Sequence, residues 1–243
     1  MRKTAAFVGL VSAAVLTTAL LGGAAKAGGD ARYRVRIVNL TDGQPLTPPV
    51  IATHRSDFNL FRVGDLASVG VMQVAENGNV PNLVSALMQA VGVAEVVAGA
   101  EPLVPGGLPG SASHPDRASF VIEAPHSARF ISFASMLICT NDGFTGINRI
   151  RLPEDKGDSK VIVANGYDAG TEMNTEDFAD IVPPCQSLVG VTGSDPGTGA
   201  SDPSLLEGGV IHHHRGISGG ADLVPTVHGW DDPVVRIRIT RVK

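Results

Sequence analysis

The stretch GYDAGTEMN, residues 166–174, sets Asp168 and Glu172 four residues apart around Gly170. A further acid, Asp142, stands in TNDGF at the end of a long apolar run. Carboxylates gathered in a partly shielded place repel one another, and a cation between them relieves the repulsion. Oxygen donors with no thiolate and no paired imidazole select Ca²⁺ over Zn²⁺. Gly170 lets the backbone turn so that both side chains and some carbonyls face one ion. Spacing alone leaves two readings open: Asp142, Asp168 and Glu172 converge on one Ca²⁺, or they are three solvated loop acids.

Two other groupings point to different chemistry. In HHH, residues 212–214, His212 and His214 share one face of a strand. With His228 as a third ligand they would start a Zn²⁺ or Cu²⁺ site. The competing reading is that they pack and hydrogen-bond on a half-polar sheet face, since no acid or thiol is placed beside them. GISGG, residues 216–220, satisfies G-x-S-x-G, and Asp222 and His228 follow Ser218 in the order of an α/β-hydrolase triad. That mechanism needs the serine on a sharp strand-to-helix turn. The residues after it, ADLVPTVHG, contain Pro225 and no helical stripe. Eleven residues also leave no sheet to hold a triad, so a Gly-rich turn between strands is expected. A metalloenzyme on His212, His214 and His228, or a serine hydrolase on Ser218, is the alternative to a non-enzymatic chain.

The elements that must position these residues are mostly strands. In YRVRIVNL, 33–40, Tyr33, Val35 and Ile37 alternate with Arg34 and Arg36. In the terminal VVRIRITRV, Val235, Ile237 and Ile239 alternate with Arg236 and Arg238. Period two with one polar face marks half-buried antiparallel strand. The two strands look alike and are expected near each other; their arginines form either a basic stripe for a polyanion or a merely solvated face. Short helices are expected at 66–76 and 82–91, the second with Pro81 in its first turn. Strands follow at 118–124, 129–140, 143–150, 159–165 and 210–216. The run 129–140 is almost continuously apolar, as a strand covered on both faces would be. Asp142, Asp168 and Glu172 then fall just past strand ends. Many short strands joined by long Gly- and Pro-rich loops (101–117, 190–209) predict one mostly β domain, an antiparallel β-sandwich with one or two short helices.

The chain of 243 residues opens with Arg2 and Lys3, an apolar run from Ala5 to Leu21, and Ala25-Lys26-Ala27. This reads as a signal peptide over 1–27, leaving a single domain over 28–243 that is exported to the periplasm, the envelope or the medium. No other segment has the ~20 apolar residues that span a bilayer. Removing Arg2, Lys3 and Lys26 from the 19 basic residues leaves 16 against 24 acidic ones, a net charge of −8. Such a balance argues against a general nucleic-acid binder. The two cysteines, Cys139 and Cys185, are expected to pair in an oxidising compartment; two separate buried thiols are the other reading.

FRVGDLASVGVMQVAENG, ASMLICTNDGFTGINRI, YDAGTE and DPVVRIRITR together resemble the spondin domain, the amino-terminal adhesion module of F-spondin and of many secreted bacterial proteins. The resemblance runs from about Arg32 to Val242. It implies a β-sandwich similar to the calcium-binding C2 type, without enzymatic activity. It also implies one Ca²⁺ held by an acid of the first motif and two of the second, here Asp142, Asp168 and Glu172. Glu172 keeps the charge on a side chain one methylene longer than the Asp often found there. The partner implied is an extracellular or envelope protein or polysaccharide, bound by a monomer.

Overall fold

The computed structural model describes residues 30–243, so the expected leader over 1–27 lies outside the described residues. Among the described residues, ten strands form two antiparallel sheets. The four-stranded sheet has the order β4 (Arg117–Ala124), β1 (Ala31–Asn39), β10 (Val235–Arg241), β7 (Ser159–Ala164). The first and last strands pair side by side, with Ile37 opposite Ile237 and Val35 opposite Ile239. Their inward residues are buried and their arginines exposed, as the alternation requires.

The six-stranded sheet has the order β3 (Val93–Ala98), β2 (Val50–His54), β5 (Phe130–Met136), β6 (Gly143–Arg151), β8 (Gly166–Asp168), β9 (His212–His213). Ile131 and Phe133 on β5 meet the four-stranded sheet in the central core with Tyr33, Val35, Ile37 and Ile237. Ala134 and Phe144 face the other way, under helices α1 (Val69–Asn77) and α2 (Val80–Gln89). Those helices form a third layer, and this is why β5 reads as continuously apolar. A further cluster around Cys139, Phe178, Ile181 and Cys185 fills the space under helix α3 (Pro184–Val189). Helix α4 (Pro225–His228) is a single turn.

Several boundaries differ from the sequence reading, each for a local reason. α1 starts at Val69 rather than 66 because the Ser68 side chain caps it, accepting the Val71 N–H. It stops at Gly78, whose φ of 60° suits a residue without Cβ. β2 has no alternation, being buried at all five positions, and so gave no period-two signal. The strand expected over 129–140 ends at Met136, and that expected over 210–216 shrinks to His212–His213. Asp168 lies within a strand, not past one. Between Ala164 and Gly166 the chain leaves the four-stranded sheet and joins the six-stranded one, and this crossing brings Asp168 beside Gly143.

Candidate metal centre and the loops around it

Asp142 closes the turn between β5 and β6. The Thr140 hydroxyl donates to the Leu137 carbonyl at 2.6 Å and accepts the Gly143 N–H at 2.9 Å. This fixes the Asp142 side chain, fully buried, at the end of the sheet. Its Oδ2 accepts the Thr171 N–H at 2.8 Å, the Thr171 hydroxyl at 3.2 Å and the Glu172 N–H at 3.1 Å. Its Oδ1 is buried with no hydrogen-bond partner among the described residues. A buried carboxylate oxygen left unpaired is costly.

Asp168 arrives from β8, opposite Gly143. Its Oδ1 accepts the Gly170 N–H at 2.8 Å and its Oδ2 the Asn174 side-chain amide at 2.7 Å. Gly170 has φ 68°, and a Cβ there would lie 2.6 Å from the Val210 carbonyl oxygen, so only glycine fits. The reason for that closeness is a second segment laid across the turn. Gly209 donates its N–H to the Gly170 carbonyl at 2.7 Å, and Glu207 its N–H to the Thr171 carbonyl at 3.2 Å. Carboxylate oxygens of Asp142, Asp168 and Glu207 lie within 4.8 Å of one another. Glu172, also buried, is placed beside them by its N–H, but its carboxylate faces the Asp202 N–H at 3.5 Å.

Electrostatics match this crowding. Burial, and then the Asp168 charge, push the Asp142 carboxyl up to about 7. Burial, with the neighbouring acids Glu76, Asp142 and Asp180, pushes Glu172 up to about 8. The nearest imidazole is His212, its Nδ1 3.6 Å from Asp168 Oδ1. That Nδ1 lies 3.0 Å from the Val210 carbonyl. A carbonyl only accepts, so the nitrogen carries a hydrogen and is not a free metal ligand.

The three histidines do not converge. His214 packs against Trp230, with ring centroids 5.0 Å apart and the planes tilted by 59°. His228 is buried elsewhere, against Phe178 and beside Cys139 and Cys185. The cysteines next to it form a disulfide and offer no thiolate. Among the described residues, His212, His214 and His228 form no group with ligand atoms in mutual reach.

The serine triad is not assembled either. Asp222 Oδ2 accepts the Phe178 N–H at 3.0 Å, and His228 Nδ1 accepts the Val224 N–H at 2.9 Å. GISGG has another role, which the sequence reading missed. The buried Glu176 carboxylate accepts the backbone N–H groups of Ser218 (2.5 Å), Gly219 (2.7 Å) and Gly220 (2.7 Å). Burial raises the affinity of Glu176 for a proton, but these donors together outweigh it and hold the group below the usual carboxylate range. The glycines are the only trace of this cradle in the sequence. A fluorophosphonate probe is therefore expected to leave the protein unlabelled, and Ser218→Ala to melt only slightly below the wild type, since it removes one side-chain donor to Glu176 and leaves the three backbone N–H donors. Glu176→Gln should cost about 1.5–3 kcal/mol, because a charge-assisted anchor of the loop is lost. Labelling of Ser218, or an unchanged melting curve for Glu176→Gln, contradicts this account.

The Spondin_N family model matches residues 45–180, more than half of the chain. The chain belongs to the spondin N-terminal family. The match includes Asp142, Asp168 and Glu172 and is narrower than the 32–242 expected from the quoted motifs. β1, β10, Cys185, Glu207 and the 212–228 segment lie outside it. A second comparison finds 33% identity over 108 residues with interleukin-12 receptor subunit beta-1 of Mus musculus, 40% of this chain. The chain spans 15% of that receptor's length. The spondin N-terminal domain here thus has the expected β-sandwich and the expected Cys139–Cys185 bridge. Among the described residues, no helix is long and apolar enough to cross a membrane.

Proposed function

We propose that this spondin N-terminal domain is an exported, non-enzymatic binding module whose partner-facing loops are held in place by one Ca²⁺. The observation that carries the reading is Asp142 Oδ1, a buried oxygen without a donor, beside carboxylates of Asp168 and Glu207. An all-oxygen, acidic donor set of this kind suits a hard cation. Asp142 and Asp168 would hold it. Glu172 and Glu207 are the two further acids at the site, one from the family motif and one from the overlying loop. A bound Ca²⁺ supplies positive charge and a fixed point for the ends of β5, β8 and the 201–211 segment. The residues around it position these loops: Thr171 and Gly170 donate backbone N–H groups, and the Thr171 hydroxyl adds a donor to Asp142 Oδ2. Family membership and the disulfide support an extracellular setting. The short likeness to a receptor subunit is compatible with binding but covers too little of either chain to add weight.

Isothermal titration of chelator-treated protein tests this directly. One Ca²⁺ per chain is expected, with Mg²⁺ much weaker, because several flexible carboxylates favour a loose coordination sphere over a tight octahedron. Asp142→Asn should abolish the binding. Glu172→Gln and Glu207→Gln, measured separately, show which of the two completes the site. No calcium uptake, or stoichiometric zinc or copper instead, overturns the proposal.

A further inference from the structure

The outer face of the four-stranded sheet carries a charge pattern that neither the core nor the acidic site explains. Across it, register sets Arg36 directly opposite Arg238, and Ser119 of β4 on the other side of Arg36. One row away, Val38 lies between Arg236 and Arg117. One row the other way, Arg34 lies beside Thr240. Strands are about 4.8 Å apart and same-face residues about 6.8 Å apart along a strand, so five guanidinium groups rise from roughly 10 by 14 Å of sheet. No acid stands in these three rows.

Like charges directly opposite on neighbouring strands destabilise a sheet. Among the described residues, Arg34, Arg36, Arg236 and Arg238 make no ion pair, and only Arg117 has a carboxylate, that of its neighbour Asp116. The chain as a whole is acidic, at −5. Arginines gathered against the overall charge and exposed, four of the five unpaired among the described residues, with half-exposed Val161 and Val163 beside Arg238 and Arg236, form a surface built for an anion. An open depression of about 700 Å³ lies over it, lined by Arg36, Arg117, Arg236 and Arg238 among others.

We propose that this face binds a linear anionic polysaccharide, sulfated or rich in uronate, lying across β4, β1 and β10. Arginine's planar fork pairs sulfate and carboxylate through two parallel hydrogen bonds. A chain one sugar wide samples only the local positive field, since the acidic remainder is screened beyond about 8 Å at physiological salt. A bilayer or a duplex averages over a larger, acidic area. The three rows also hold no aromatic side chain for stacking bases. Four of the five arginines lie outside the matched family region, so the family assignment does not speak to them. The inference is independent of the calcium reading.

Heparin fragments of ten sugars and an alginate oligomer of the same length serve as probes, titrated at low and at physiological salt. Wild-type protein is expected to bind at least one, with affinity falling as salt rises. The exposed variant Arg34→Gln/Arg36→Gln/Arg236→Gln/Arg238→Gln should bind about 30-fold more weakly, from four exposed ionic contacts of about 0.5 kcal/mol each. It should melt no lower than the wild type at low salt, because repulsion is removed. A control, Arg55→Gln/Arg62→Gln, should bind like the wild type. Absence of binding to both oligomers, equal affinity in the quadruple variant, or binding only to phosphatidylserine-containing vesicles overturns the proposal.

Discussion

Replacing Cys139 and Cys185 together by alanine is expected to lower the melting temperature by about 8–16 °C. The bridge spans 46 residues. In the chain-entropy picture a loop of that length constrains the unfolded state by about 4 kcal/mol, and a domain of this size shifts about 2–4 °C per kcal/mol. The bridge also has a local task. Cys139 lies three residues before Asp142, and its backbone is clamped in both directions by Gln44, at 3.1 Å each way. Cys185 opens α3, whose residues cover the same cluster. Both sulfurs are fully buried, so reductant should act only at the rate at which the cluster opens. Reduction under denaturing conditions followed by refolding should reproduce the loss without removing side-chain volume. An unchanged midpoint in both the reduced and the double-alanine protein refutes the role given to the bridge. Two alkyl groups on the unreduced, folded protein would show that it does not form.

The sequence made some of this legible and hid the rest for physical reasons. Arg34 and Arg36 alternating with Tyr33, Val35 and Ile37 disclosed a half-buried strand, and the matching terminal pattern disclosed its neighbour. Periodicity survives wherever a strand has one dry and one wet face. β8 has only three residues, too few for a period, so the passage from one sheet to the other at Asn165 left no signal. Asp142 and Asp168 were readable as acids with a glycine nearby, because a turn needing φ 68° must carry one. Glu207 was not, since it is brought in by backbone hydrogen bonds from a segment 35 residues further on than Glu172 in a Gly-rich loop. Glu176 shows the same limit from the other side. Its φ of 59° is unusual for a residue with a Cβ, and it is held by N–H groups that any residue possesses. Contacts made by the main chain leave the side-chain alphabet free, and so are invisible to it.

Calcium should raise the melting temperature by about 4–7 °C over chelator-treated protein at neutral pH. Extracellular sites with few acidic ligands are weak, with dissociation constants on the order of 0.1–1 mM. At about 2 mM Ca²⁺ and ~0.1 mM affinity, an ion that binds only the native state contributes about 1.8 kcal/mol. The pH dependence gives the sharper signature. Without metal, the Asp142 carboxyl titrates at about 7, against an ordinary 3.8. The folded state then holds this proton more tightly than the unfolded chain, so protonation favours folding. Stability of the calcium-free protein should fall as pH rises from about 4 through about 8, because the Glu172 carboxyl is likewise pushed up, to about 8. A bound Ca²⁺ would take the proton's place, so the calcium-dependent shift should grow across the same window. Asp168→Asn removes the charge that adds to the Asp142 shift. It should abolish most of the calcium response while leaving the calcium-free protein as stable as the wild type or more so. An aspartate kept only for its hydrogen bonds to Gly170 and Asn174 would behave differently, its loss destabilising the protein with and without calcium. Gly170→Ala, which drives a Cβ into the Val210 backbone, should lose stability and calcium response together, separating damage to the turn from removal of a charge. A wild-type melting curve indifferent to calcium and to chelator at every pH would mean that the buried Asp142 oxygen is satisfied by something other than a cation.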